Sequence, residues 1–421
     1  MKQCTRGAEG NINIMSIDVS LVADQIITKE APAPAEDFSL VLGGPLYQLL
    51  LRFGLIRPPL GHVAFRVGVI GGLAWLPLVV LTIFGGRFMS GVKVPFLYDF
   101  EVNARFLFAL PLLVLAELIV YVRMREITAQ FIERHLIPDD VRPAFNGLIS
   151  SAMRLRNSWV AEAGLLVFVI LVGPYYWRAA LALHSDTWYA TVSSSGLSYT
   201  LAGYWYAFGS VPVFQFILLR WYYRIFIWCR FLFQTSRLDL NLVALHPDRC
   251  GGLGFLGTVA IAFAPLIMAH SGLVAGFVAN RILHEGAALA DYKFELLGLA
   301  ALLLLIVLGP LCVFTPKLTS ARLAGLRAYG RLASDYVVGF ARKWSRGAAV
   351  QDERLLGSSD IQSLADLGDS FAIVNEMKLV PFGKNAVMRL LVVIALPLAP
   401  LALTMFSLEE VLKRLISILL R

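Results

Sequence analysis

The sequence predicts an all-α integral membrane protein: a polytopic helical bundle of about seven transmembrane helices with a helical cytoplasmic layer. Three observations predict it. First, 58% of the 421 residues are hydrophobic and 16% charged, with a mean hydropathy of +0.70; soluble domains carry roughly a quarter charged residues. Second, seven stretches are apolar over the roughly 20 residues needed to cross hydrocarbon. Third, basic residues crowd alternate connections between those stretches. The net charge of +8 is therefore a mark of loops kept on the cytoplasmic side, and no nucleic acid partner is expected.

Residues 1–38 are polar and contain an APAPAED run, which predicts a disordered tail. No charged segment leads directly into an apolar one there, so no cleaved signal peptide is expected. Over 39–60 the apolar stretch from Leu40 to Leu55 is interrupted by Gly43, Gly44 and Pro45. It is too short to span and predicts an interfacial helix, with Arg52 and Arg57 at headgroups. The remainder, 61–421, is the helical transmembrane domain. Its spans are expected at about 66–86, 104–122, 160–178, 201–221, 257–280, 295–315 and 387–406. The fourth runs on past the membrane as RWYYRIFIWCRFLFQ.

Charge then orients the chain. Arg123, Arg125, Arg134, Arg142, Arg154 and Arg156 follow the second span, and Arg224, Arg230, Arg237 and Arg249 follow the fourth. Many more lie between Lys317 and Arg389. The connection 179–200 has no basic residue, and in 281–294 Arg281 and Lys293 are offset by Glu285 and Asp291. This places the N-terminus in the cytoplasm and the C-terminus in the periplasm. The cytoplasmic insertions at 123–158, 222–256 and 316–386 are expected to be helical. Residues 123–136 extend the second span until Pro138, and further helices are expected over 140–157 and 317–346. Another starts near Ser359, with Gln362 completing a capping box. Ile361, Leu364, Leu367, Phe371 and Val374 then share one face. After the last span, LEEVLKRLISILLR is an amphipathic helix for the outer surface.

The stretch LDLNLVALHPDRCGGLGFLG, 238–257, is the most unusual connection. Its polar candidates are His246, Asp248 and Arg249, followed by Gly251, Gly252 and Gly254. Free amides at the next helix start, beside Arg249, would suit an anion. The structural alternative is a tight cap in which Asp248 and Arg249 pair and the glycines allow close packing. Asp239, Asn241, His246 and Asp248 match no metal-ligand spacing, so no metal site is assigned, and the cofactor is unknown. Cys4, Cys229, Cys250 and Cys312 form no CxxC pair.

At membrane depth the candidates are Glu117, Gln215, His270 and Asn280. An intramembrane ionisable group is a functional-site hypothesis by default; the alternative is an interhelical hydrogen bond. Arg220, Arg224, Arg230 and Arg237 lack the three-residue repeat of a voltage sensor and are expected to be headgroup anchors. Gly68/Gly72 and Gly272/Gly276 are GxxxG pairs for helix packing. Every span holds proline: Pro77, Pro111, Pro174, Pro212, Pro265, Pro310, Pro397 and Pro400. Interior prolines remove donors and free carbonyls, as in helices kinked around a cavity. LVGP recurs as VLGP and ALPL recurs once, in opposite directions on this topology, as an inverted repeat would.

LHPDRCGGLGFLG, with the later SSDIQSLADLGDSFAIVNEMKLVPFGK, resembles a group of bacterial inner-membrane proteins of uncharacterised activity. The resemblance runs from about the first span to the last. It implies an inner-membrane location and brings no ligand or catalytic residue. No Walker A loop, HExxH or GxSxG occurs, and no catalytic residue is assigned. The leading expectation is a transporter or channel-like protein for a small solute or ion. The alternative is a non-transporting scaffold or signalling component working through its cytoplasmic layer. A third reading is a lipid-headgroup enzyme using His246, Asp248 and Arg249. The bilayer and an unidentified small solute are the expected partners, and self-association is left open.

Overall fold

In hydrocarbon the backbone must satisfy its own polar groups, so apolar stretches of spanning length resolve into helices. The computed structural model describes residues 38–58, 60–176, 187–193, 196–345 and 359–405. Among them, 7 helical segments are long and apolar enough to cross a membrane. All but the last residue of the expected tail over 1–38, and the C-terminal amphipathic helix, lie outside the described residues.

A short α1 (Pro45–Arg52) precedes α2 (Val63–Phe84). The long α3 (Phe100–Glu133) is followed by α4 (Arg142–Arg156) and α5 (Trp159–Tyr176). Next come α6 (Leu201–Thr235), the short α7 (Leu256–Ala262) and α8 (Ala264–Glu285). The last are α9 (Lys293–Leu308), α10 (Thr315–Phe340), α11 (Ser359–Asn375) and α12 (Lys384–Ala402). A tight 3₁₀ stretch, Gly309–Phe314, joins α9 to α10, so helix runs without a break from Leu289 to Ser345. The basic connections gather at one end of the bundle, where Asn241 N donates to Leu136 O at 2.9 Å. The other connections meet at the opposite end, where Trp188 N donates to Val94 O at 3.2 Å.

Two prolines shape their helices in the same way. Pro111 follows a wider, π-type turn at Ala104–Ala109, and Pro212 follows one at Tyr206–Ser210. Proline has no N–H and its ring clashes with the carbonyl four residues back, so the preceding turn opens. The two widened turns face each other: Arg105 in the first donates to the Tyr206 hydroxyl in the second. Pro310 begins the 3₁₀ stretch and Pro265 begins α8. Near Pro77, Ser210 Oγ donates to Ala74 O at 2.6 Å, a side chain satisfying a helix carbonyl.

Among the described residues the one sheet is a two-stranded antiparallel hairpin, β1 (Ala190–Ser193) with β2 (Gly196–Tyr199). The sequence predicts only a connection over 179–200. Its Thr, Val and Tyr residues suit a pleated ribbon, and Trp188 anchors it by donating to Asp99 Oδ2 at 2.9 Å.

The core is largest along α3, α6 and α8. Gly272 of α8 lies against the Phe108 ring, and a Cβ at Gly276 would fall 2.7 Å from Ala104 Cβ. That GxxxG pair therefore packs α8 on α3. Gly68 has nothing within 4 Å, and Gly72 only its own helix's Leu76, so the other pair makes no helix contact in the described chain. At the basic end Phe131 meets Phe145, Phe255 and Phe314. Phe38, placed by the sequence at the end of the tail, is buried 4.7 Å from the Phe231 ring centroid.

Beyond this core, α10 and α11 pair with each other. Val374 is fully buried against Gly325, whereas Ile361 and Phe371 stay exposed. Leu364 and Leu367 are half-buried, so the apolar face expected on α11 is fully covered only at Val374. Gln362 Nε2 donates to Asp366 Oδ1 at 2.7 Å, a contact along the helix rather than the expected capping box.

Candidate functional site

Charges inside an apolar bundle persist only when paired. Four helices each contribute to one such group. Glu117 lies on the buried face of α3 between Val114 and Val120. Arg66 sits in the first turns of α2 and is fully buried. Arg220 and Arg224 are four apart on α6, hence on one helical face. Glu162 is in the first turn of α5.

Glu117 is the hub. Its Oε2 is 3.1 Å from Arg66 Nη2, and its Oε1 is 2.9 Å from Arg224 Nη2 and 3.7 Å from Arg220 Nη1. Arg220 Nη2 also reaches Glu162 Oε1 at 2.9 Å. The second Glu162 oxygen accepts from Leu46 N at 2.7 Å, so this carboxylate caps the start of α1, where a negative charge is favoured. The Arg224 guanidinium also lies over the Trp221 ring, 4.9 Å from its centroid. Arg66 Nη2 donates weakly to Val114 O at 3.4 Å, while its Nε and Nη1 are buried with no hydrogen-bond partner.

A groove of about 460 Å³ opens beside this group at the basic end. Gly43, Gly44, Tyr47, Gln48, Arg156 and Asn157 line it. Gly43 and Gly44 have φ of 129° and 87°, a region that favours glycine. The bend sets the start of α1 against Arg156, whose Nη1 donates to Ser39 O at 2.6 Å and Nε to Asn157 Oδ1 at 3.1 Å. Burial and Tyr121 push the Tyr47 phenol up, and Arg66 and Arg156 pull it back. Tyr47 therefore lies within electrostatic reach of both arginines.

The four intramembrane candidates do not converge. His270 is bonded through Nε2 to the Tyr222 hydroxyl at 2.6 Å and through Nδ1 to Leu266 O at 2.7 Å. Asn280 belongs to the opposite end, donating to Asp99 Oδ1 at 2.9 Å and accepting from Phe100 N at 2.8 Å. Gln215 Oε1 is buried without a partner. Arg220 and Arg224 are not headgroup anchors: both are buried and paired with carboxylates. Of this group the sequence marks Glu117 as a candidate and Arg220 and Arg224 only as expected anchors; Arg66 and Glu162 are not among its site candidates. The four-residue spacing of the α6 arginines, together with Glu162 so close to a span start, was the available signal.

The HPDR–GGLG turn is a self-contained knot. The Asp248 carboxylate accepts from Cys250 N at 2.8 Å, Gly252 N at 3.1 Å and Gly254 N at 2.8 Å. His246 Nδ1 lies 2.9 Å from Asp248 Oδ1, and Arg134 Nη1 3.9 Å from its Oδ2. Arg249, Gly251 and Gly252 all have positive φ, 54°, 62° and 97°, which curls successive amides inward. The amides that could hold an external anion thus hold the chain's own carboxylate. Burial raises the Asp248 pKa, but the three amides and His246 outweigh it and bring the group below its ordinary value. Burial and Asp248 push the Cys250 thiol up to about 11. Arg249 does not pair with Asp248. It pairs with Glu376, and its carbonyl accepts from Lys378 N at 2.7 Å. Gly251 packs against Met377, and a Cβ at Gly257 would lie 2.9 Å from Pro381 O. The HPDR–GGLG turn and the segment after α11 therefore clasp each other. Among the described residues no group of three or more His, Cys, Asp or Glu could hold a metal ion.

The chain matches no protein-family model, no curated protein and no solved structure. What the Glu117 group can do chemically follows from its own geometry: it offers cationic donors, not a nucleophile with a base.

Proposed function

We propose that the chain is a bacterial inner-membrane protein, N-terminus cytoplasmic, that moves a small solute or ion through the region around Glu117. The observation that carries this reading is the Glu117–Arg66–Arg220–Arg224 group, extended by Glu162, inside an otherwise apolar bundle. Apolar residues of similar volume would hold the helices together as well or better. Intramembrane charge that stability does not demand favours a pathway role. The adjoining groove at the basic end supplies an entrance, and the paired π turns around Arg105 and Tyr206 lie on the same two helices. Such turns often accompany function.

The test is aqueous accessibility. Single cysteines around Glu117, Gln215 and His270, in a cysteine-free chain, are exposed to a charged membrane-impermeant thiol reagent from each side. Labelling along one helical face at mid-depth is expected. A folded protein labelled only at its span ends would sink the reading.

A second reading is supported by α10 and α11. Leu323, Leu332, Val337, Val338, Ile361 and Phe371 are exposed on helices that extend beyond the bundle. They favour a scaffold or signalling component with a protein partner. A protein that purifies alone and moves solute in vesicles would remove that alternative.

A further inference from the structure

The buried group is not electrically balanced. Arg66, Arg220 and Arg224 face Glu117 and Glu162, and Arg156 stands at the groove with no carboxylate partner among the described residues. Four guanidiniums thus share two carboxylates. One of those carboxylates is further drawn on by the amide of Leu46. Arg66, with no exposed surface, leaves two donor nitrogens, Nε and Nη1, without a partner among the described residues, and an unpaired buried donor is costly. In low dielectric an excess of positive charge demands a counter-anion. Guanidiniums suit a planar or tetrahedral oxyanion because their donors form a fork. The groove is large enough for a small anion and is lined at its wall by the charged edge of Arg156 and the hydroxyl-bearing Tyr47. Nearby acidic groups do not close the account: Asp99 and Glu101 serve the opposite end, and Asp248 is held by its own turn.

We propose that the groove bounded by Gly43, Gly44, Tyr47 and Arg156, backed by Arg66 and the α6 arginines, binds a small oxyanion of the phosphate or carboxylate class. This deepens the reading of the Glu117 group as the working site and names its ligand. Both a free anion and the phosphate of a lipid headgroup carry that chemistry.

The test uses the full chain purified in detergent and titrated with inorganic phosphate, with binding followed by calorimetry and by thermal unfolding. Saturable binding to the wild-type protein is expected. It should weaken about tenfold or more in Arg156→Gln and in Arg66→Gln and stay unchanged in Arg230→Gln, whose guanidinium reaches Ser151 instead. Because Arg66→Gln threatens folding, the half-buried Arg156 and the wild-type titration decide on their own. In a second arm, native mass spectrometry looks for retained phospholipid before and after delipidation. Phospholipid that co-purifies with wild type but not with Arg156→Gln, and that blocks phosphate until removed, assigns the site to a headgroup. A folded wild-type protein that binds neither phosphate nor phospholipid overturns the inference. Flux in vesicles is read separately. Binding without flux keeps the site and removes transport; flux of a cation or neutral solute with no anion bound does the reverse.

Discussion

Glu117 shows how one side chain can hold an apolar helical bundle in a particular register. Its two oxygens answer three arginines from two other helices. Removing one partner of a buried ion group leaves the others uncompensated, which costs about 3–5 kcal/mol. Glu117→Gln is expected to lower the thermal unfolding midpoint markedly, while Glu126→Gln, paired only with exposed Arg123, leaves it nearly unchanged. Equal midpoints for the two variants would contradict the hub role. Asp248 gives a second test. Its folded pKa is depressed, so its contribution is present above the unfolded value and fades as pH falls through the folded one, below about pH 4. Wild type should lose midpoint over that acid range, and Asp248→Asn should lose this limb while being less stable at pH 7. The neighbouring Cys250, buried and with its thiol pushed up to about 11, should resist a polar maleimide at pH 7 in the folded protein and react on unfolding. Rapid labelling without unfolding would show the turn to be open.

At the scale of elements, glycine and proline divide the work. Small residues matter only where another helix arrives. Gly276 meets Ala104 and the Phe100 carbonyl, so Gly276→Leu must push α8 off α3, at a cost of about 1–3 kcal/mol or more. Gly68 has open space around it, and Gly68→Ala is expected within about 0.5 kcal/mol of wild type. Thermal unfolding of the two variants side by side checks this; a large loss at Gly68 would reveal a contact with another chain. Proline acts differently. Pro111 and Pro212 widen the turns before them and so set which faces of α3 and α6 point inward beyond those turns. The sequence marks each proline, but whether a proline yields a π turn, a 3₁₀ stretch or a tolerated kink depends on neighbouring side chains such as Ser210 and Tyr206. The short hairpin is not legible in the sequence for a related reason. Its four-residue strands are held less by their own propensity than by Trp188 bonding to Asp99 across the end of the bundle.

At the scale of the whole molecule, the alternation of connections makes a direct prediction. Reporters fused after residues 135, 245 and 340 should fall on one side of the membrane, and reporters after 88 and 287 on the other. The first set is expected in the cytoplasm. Any mixed result within a set would break the topology. Length and hydropathy determined the all-helical architecture, because a run of about 20 apolar residues has only one way to satisfy its backbone in lipid. They also placed the seven apolar stretches where the structure has helices long and apolar enough to cross a membrane. They picked out Glu117, since a lone carboxylate in such a run is conspicuous. The rest was decided by tertiary structure. Arg66, Glu162, Arg220 and Arg224 lie near span ends, where sequence alone cannot separate a charge anchored at headgroups from one turned inward. Only helix rotation and depth bring residues up to 158 positions apart around one carboxylate. Likewise the HPDR turn and the segment after α11, more than 100 residues apart, become one clasp only when α12 packs beside α8.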